Sequence, residues 1–232
     1  MTKRANKPIC PKFTKLSPQT YLMKKILLSI ILFPFAATGF SQIVHFAVKG
    51  GINLSTQQTG NALFDVNNST IVGFNIGGVA AIDFDKFTLQ PGLFFTTKGE
   101  RVNIPDPFTT ATYNAYYTLD YIELPVDILY KRKLGPKTTV HFGLGPYLAT
   151  GIYARVTYPG TSNRITFDNN TANLQPGYQN PDYGLNFLAG IQLNKKIAFD
   201  AGYDLGLANL YFSNTTTLRN RTVSVSMGYS FR

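Results

Sequence analysis

From Thr222 to Phe231 apolar and polar residues alternate without a break. Val223, Val225, Met227, Tyr229 and Phe231 fall on one side, and Thr222, Ser224, Ser226, Gly228 and Ser230 on the other. A period of two places the two sets on opposite faces of a strand. Chain ends usually fray unless something ties them down, so a run of large residues here needs a partner surface. A strand that is apolar on one face, small and polar on the other, and closes on an aromatic suits a barrel whose outside meets lipid.

The same alternation recurs upstream. The first strand, about 43–54, sets Val44, Phe46, Val48, Ile52 and Leu54 against His45, Lys49, Gly51 and Asn53. The second, about 70–84, sets Val72, Phe74, Ile76 and Ile82 against Gly73, Asn75, Gly77 and Asp83. In the third, Phe87, Leu89, Leu93 and Phe95 oppose Thr88, Gln90, Gly92, Thr96 and Lys98. The fourth, about 119–131, carries Ile122, Leu124, Val126, Ile128 and Tyr130 opposite Tyr121, Glu123, Asp127 and Lys131. The fifth turns Val140, Phe142, Leu144, Leu148 and Ile152 outward, and its inward row is expected to include Tyr147, Tyr153 and Arg155. The sixth, about 183–193, presents Leu185, Phe187, Ile191 and Leu193, and in the seventh Phe199, Tyr203 and Leu205 oppose Asp200, Gly202 and Asp204. With the terminal strand this predicts an all-β fold, an eight-stranded antiparallel up-and-down transmembrane barrel.

Connection lengths alternate in support. The turns at 85–86, 133–137 and 194–196 are short, whereas the links at about 55–69, 99–118, 156–182 and 208–221 are long and rich in Asn, Thr, Gly and Pro. Outer-membrane barrels have short periplasmic turns, longer external loops and an even strand count. Both termini are therefore expected in the periplasm. Outward Phe84, Phe87, Tyr130 and Tyr229 gather near that end, as an interfacial girdle would.

The formal charge of +10 would ordinarily suggest nucleic acid as a partner. The leader removes that suggestion. Met23-Lys24-Lys25, then Ile26 to Phe33, then a small-residue stretch ending Gly39-Phe40-Ser41, has the layout of a secretory signal peptide. Residues 1–41 are read as the leader, with Met23 the expected true start and 23–41 the signal peptide, and 42–232 as the barrel domain. The leader holds seven of the 22 basic residues and none of the 12 acidic ones, leaving a net charge near +3. Cys10 leaves with it, so no disulfide, thiolate nucleophile or cysteine metal site is expected. No other stretch is apolar enough for a membrane helix, which needs about 20 residues; a membrane-spanning form must then be a barrel.

Glycine placement separates this reading from a soluble barrel. Among the strand glycines only Gly50 and Gly78 fall on the aliphatic face. An eight-stranded barrel has an interior just wide enough for side chains, and inward glycines make room for large or charged neighbours. A soluble ligand-binding barrel of lipocalin type, where the large side chains would line a cavity, is the weaker alternative.

Several segments carry a resemblance. Lys49-Gly-Gly-Ile-Asn-Leu54, Leu89-Gln-Pro-Gly-Leu-Phe-Phe95, Asp120-Tyr-Ile-Glu-Leu-Pro-Val126, Gly145-Pro-Tyr147, Gly202-Tyr-Asp-Leu-Gly206 and Asn220 to Tyr229 resemble the PorT-like small outer-membrane β-barrel family. The resemblance implies a monomeric barrel of the OmpA/OmpX size class in a Gram-negative envelope. It also implies outer-membrane lipid and the barrel-assembly machinery as partners, and it raises an accessory part in type IX protein secretion as an alternative role.

Glu123 and Asp127 on one strand, and Asp200 and Asp204 on another, are candidate paired carboxylates. Residues i and i+4 on a strand stand about 13 Å apart, too far for either glycosidase geometry. The simpler reading is an interior charge network of Lys49, Glu123, Asp127, Lys131, Arg155, Asp200 and Asp204, with Lys98 nearby. His45 and His141, the only histidines, read as structural inward residues. No cofactor, metal or catalytic residue is expected. Phe64, Tyr113, Tyr116, Tyr117, Tyr211 and Phe212 in the long links are the expected contacts for a protein partner. The functional expectation is a non-enzymatic barrel with a filled interior, acting through external loops or in envelope integrity.

Overall fold

The computed structural model describes residues 43–60, 69–105, 112–167, 177–211 and 217–231. The expected leader, its cleavage point, Cys10, Phe64 and Phe212 lie outside the described residues. Ten strands follow in order: β1 (Ile43–Thr59), β2 (Ile71–Phe84), β3 (Phe87–Pro105), β4 (Thr112–Lys133), β5 (Thr138–Tyr158), β6 (Thr161–Phe167), β7 (Gly177–Tyr178), β8 (Asp182–Leu193), β9 (Ile197–Gly206) and β10 (Leu218–Phe231). Eight of them close a ring, β1-β2-β3-β4-β5-β8-β9-β10, with β10 pairing back on β1 and every wall pairing antiparallel. Closure removes the sheet edges that lipid could not satisfy. Among the described residues no helix is long and apolar enough to cross a membrane.

The two faces of the wall separate as the alternation requires. Val72, Val225, Phe46 and Ile52 are 60–73% exposed on the outside, while Lys98, Tyr121 and Asn53 are at most 1% exposed within. The large apolar residues thus face outward, and the lumen is not the apolar cavity of a lipocalin-type barrel. At the short-turn end Phe87 lies tilted against Tyr130 with ring centroids 5.6 Å apart, and Tyr229 meets Phe231 at 5.4 Å. The short turns have the chemistry they need: Asp85 takes φ +48 between paired Phe84 and Phe87, and Asn194 and Lys195 take φ +50 and +59.

In two of the expected long links most of the described residues are strand. β3 and β4 pair up to Pro105 and Thr112, so only 106–111 separates them. Tyr113, Tyr116 and Tyr117 are consequently strand residues rather than loop residues. Their segment is rich in Tyr and Thr, which favour strands, but its two faces do not alternate cleanly and no period marked it. After β5, Pro159-Gly160 forms a tight turn in which Gly160 takes φ +81, as the residue after proline does in a type II turn. β6 then folds back on β5, and β7 joins it in parallel.

A bulge changes the phase of β5. Asp120 pairs with Tyr153 and Tyr121 with Gly151, so Ile152 has no partner of its own. Beyond it the odd residues point out: Tyr153 is 38% exposed, and Ala154 and Val156 are buried instead. The extra residue of a bulge reverses every later side chain. Tyr153 and Arg155, expected in the lumen, therefore lie on the outer wall.

Three prolines interrupt the wall at one height. Pairing lapses between Val79–Gly92 and Ile82–Leu89, between Pro91–Val126 and Phe94–Glu123, and between Pro125–Tyr147 and Ile128–Leu144. Pro91, Pro125 and Pro146 lack the N–H a ladder requires. Segments far apart in sequence thus meet as one belt across β3, β4 and β5.

Candidate functional site

The lumen is built from the inward rows in layers. Near the short-turn end Lys131 Nζ lies 2.9 Å from Asp83 Oδ1, which also accepts from Thr88 Oγ1 at 2.6 Å. His45 Nδ1 stands 3.5 Å from Asp83 Oδ2. One layer up, Lys49 Nζ is 2.8 Å from Asp200 Oδ2 and donates to Gln90 Oε1 at 3.0 Å. His141 Nε2 hydrogen-bonds the other oxygen of Asp200 at 2.7 Å. Strand β8 can pass this cluster only because Gly190 faces it. A Cβ there would meet Asp200 Oδ1 and His141 Nε2.

At mid-height a cavity of about 60 Å³ is lined by Lys49, Asn53, Gln90, Asp127 and Asp204 among others. It is polar and roomy enough for water. Asn186 donates to Asp204 Oδ1 at 2.6 Å, and Asn53 donates to Thr96 Oγ1 at 2.8 Å. Asp127 is 5% exposed, and no ion pair reaches it among the described residues. Above the cavity Lys98 Nζ sits 2.6 Å from Glu123 Oε2 and 3.2 Å from Asp204 Oδ2. The same ammonium lies 4.3 Å from the centre of the Tyr147 ring. Lys98 is wholly enclosed, at 0% exposure, as is Asp182.

The loop end is closed by a different material. Leu119, Tyr121, Tyr147, Ala154, Val156, Ile165, Tyr178 and Leu210 form a single apolar cluster, with Phe167 packed against it. Phe167 meets Tyr121 at 5.5 Å, and Gly151 lets the ring approach, since a Cβ there would strike it. Beneath this cap Asn220 donates to Asp182 Oδ2 at 2.9 Å, and the Tyr178 hydroxyl donates to Gln57 Oε1 at 3.1 Å. Above the apolar belt, burial first and a hydrogen bond with Tyr158 second push the Tyr117 hydroxyl up to about 12.

Of the residues expected in the interior network, the structure pairs Lys49, Glu123, Asp200 and Asp204 in the lumen, leaves Asp127 there with no ion pair among the described residues, and sets Lys131 and Arg155 apart. Lys49 pairs with Asp200; Glu123 and Asp204 share Lys98; Lys131 is drawn to Asp83 instead of to that group. Arg155 is outside the barrel and takes no part. Two acids outside the expected network belong to the lumen: Asp83, the partner of Lys131, and the buried Asp182. Asp83 lies on the inward row that alternation predicts for the second strand, and Asp182 continues the even phase of Gly184 and Asn186 by one step. Of the expected loop contacts, Tyr116 and Tyr211 are 41% and 50% exposed, whereas Tyr113 and Tyr117 are half-buried.

An antiparallel ring of eight strands with a lipid-compatible exterior and a lumen filled by ion pairs is a small transmembrane β-barrel of the outer-membrane type. Residues 40–211 match the family model of the outer membrane protein beta-barrel domain. The chain belongs to that family. Among solved structures it is similar to OprG from Pseudomonas aeruginosa (12% identity, 82% of this chain and 97% of that one, TM-score 0.46). It is also similar to Neisserial surface protein A (15% identity, 80% and 97%, TM-score 0.44). A third similar structure is Ail, the attachment invasion locus protein of Yersinia pestis, solved in complex with the heparin analogue sucrose octasulfate (15% identity, 81% and 99%, TM-score 0.39). A comparison with curated proteins finds no match.

Proposed function

We propose that this protein is a closed, non-enzymatic monomer of the PorT-like group, working from the surface of its barrel rather than through its lumen. The observation that carries this reading is the double seal. Lys98, held between Glu123 and Asp204, fills the middle, and the Tyr121–Tyr147–Leu210 cluster covers the loop end. An eight-stranded barrel has room for little beyond its own side chains. What is left for contact is the outer wall and the loop end, where Tyr116 and Tyr211 are exposed. In this reading the leader is removed on export, the barrel-assembly machinery inserts the chain, and both termini and the short turns face the periplasm. The long-loop end then meets the cell exterior, where it engages a protein partner or stiffens the envelope. Loops on a rigid scaffold are the usual seat of recognition.

The purified barrel in a planar lipid bilayer tests the seal. The expected record is flat, with no sustained current. Steady porin-sized conductance from the monomer would overturn the reading and return the lumen to consideration as a pathway.

A further inference from the structure

The bulge at Ile152 places Arg155 on the outer wall, and β6 brings Arg164 directly opposite it in the pairing register. Both are exposed. Like charges directly opposite each other across an antiparallel pair are destabilising, and neither arginine has an ion-pair partner among the described residues. The carboxylate nearest in register is Asp120, which is opposite Tyr153 and accepts from Thr97 Oγ1 at 2.8 Å. No ion pair joins it to either arginine.

Their height on the wall is informative. The outward row of β5 is apolar from Val140 to Ile152 with Thr150 the exception, roughly 40 Å of strand at about 3.3 Å per residue. Tilted by about 35–45°, that stretch stands roughly 30 Å tall, against about 25 Å for the apolar band of such barrels. Arg155 and Arg164 therefore sit just beyond the hydrocarbon, at headgroup level. Tyr153 and Tyr183, 38% and 50% exposed, occupy the row and the strand end beneath them, as interfacial aromatics do. Arg164 lies over the Tyr153 ring at 5.4 Å, which holds its guanidinium against the wall. One row above, Thr157 Oγ1 and Ser162 Oγ stand 3.3 Å apart and add two hydroxyls. Guanidinium forks match phosphate oxygens two at a time, which an ammonium cannot do.

We propose that Arg155, Arg164, Thr157 and Ser162 form a site on the outer wall for the phosphomonoester of a glycolipid headgroup, in the leaflet around the loop end; the phosphodiester of phosphatidylcholine, neutralised by its own choline, is the reference it is set against. The anion relieves the repulsion between the arginines, and its acyl chains lie down the apolar row below. That this leaflet is the external one rests on the topology of the proposed function; the site itself does not.

The test uses the full chain as exported, reconstituted in phosphatidylcholine vesicles with or without a phosphorylated glycolipid, and reads the urea midpoint by band shift. The parent midpoint should rise with the phosphorylated lipid. In R155Q/R164Q it should be unchanged or higher in phosphatidylcholine alone, with the lipid-dependent rise lost. Lipid affinity, read by native mass spectrometry, should fall roughly tenfold or more, the loss expected for charge-assisted hydrogen bonds. An equal rise in parent and variant would sink the proposal, as would a variant destabilised in phosphatidylcholine alone. Inorganic phosphate reproducing the rise in detergent would mean a free-anion site and overturn the lipid assignment. Labelling T161C, in a C10S background, on intact cells with a membrane-impermeant maleimide reads the topology separately. No labelling there refutes the external orientation, and the vesicle measurement still decides the site.

Discussion

Replacing Lys98 by Met should be among the most damaging single changes in the barrel. The side chain is wholly enclosed, and its ammonium lies 2.6 Å from Glu123 and 3.2 Å from Asp204. The two carboxylates are themselves only 8% and 12% exposed, so no more than the few waters that the adjoining 60 Å³ cavity can hold could take over from the lost cation. Breaking a buried ion pair by removing one partner is worth about 3–5 kcal/mol, because the remaining charge is stranded. K98M strands two carboxylates facing the same space, and the upper half of that range is expected. Met nearly matches the Lys stem in volume, so packing against Tyr147 adds little to the loss. The triple variant K98M/E123Q/D204N removes all three charges and should lie within about 2 kcal/mol of the parent. Removing the two stranded carboxylates then recovers at least about 2 kcal/mol of the K98M loss, and that recovery is the sign of coupling. Urea unfolding in lipid vesicles measures it; the chain has no tryptophan, so circular dichroism or band shift replaces fluorescence. Strictly additive losses, or a K98M midpoint equal to the parent's, would refute the claim that these charges hold one another.

Leu124→Arg and Leu144→Arg, on rows 49% and 52% exposed to the bilayer, should each destabilise the reconstituted barrel by about 2–4 kcal/mol, whereas unchanged folding without lipid or detergent would contradict a lipid-facing exterior. Gly190→Ala forces a methyl into Asp200 and His141 and should lower the stability read from urea unfolding by about 1–3 kcal/mol; G78A, where a Cβ meets only the Ala47 carbonyl oxygen at an ordinary 3.7 Å, is the matched control and should change little. Arg155→Ala should leave the interior network and the midpoint in phosphatidylcholine intact, since the residue is on the outer wall; a loss as large as that of K98M would return it to the lumen. Protease added to whole cells should cut near the loop end and spare the turns at 85–86 and 194–196, and the reverse pattern would invert the topology.

The wall of this barrel is legible in the sequence because lipid leaves so little choice. Nearly every outward position between the interfaces is apolar and nearly every backbone group pairs, so Val72, Phe74 and Ile76, or Val223, Val225 and Met227, announce their face and their strand together. The same constraint made the inward charges visible as a set. What it could not settle is who meets whom. Ion pairing inside the lumen depends on register between strands that are far apart in sequence, and so Lys131 finds Asp83 and Lys98 becomes the central cation. Where the bilayer ends, the constraint ends too. Tyr113 and Tyr117 lie on strands that continue into a polar environment, where alternation is no longer required, and they were expected in a loop. A single unpaired residue, Ile152, then moved Arg155 from the lumen to the outer wall. Alternation carries no sign of an inserted residue, because a bulge is tolerated only where the partner strands bend to accept it. Facing was therefore fixed locally, by the solvent each face meets, while partnership was fixed only when the ring closed.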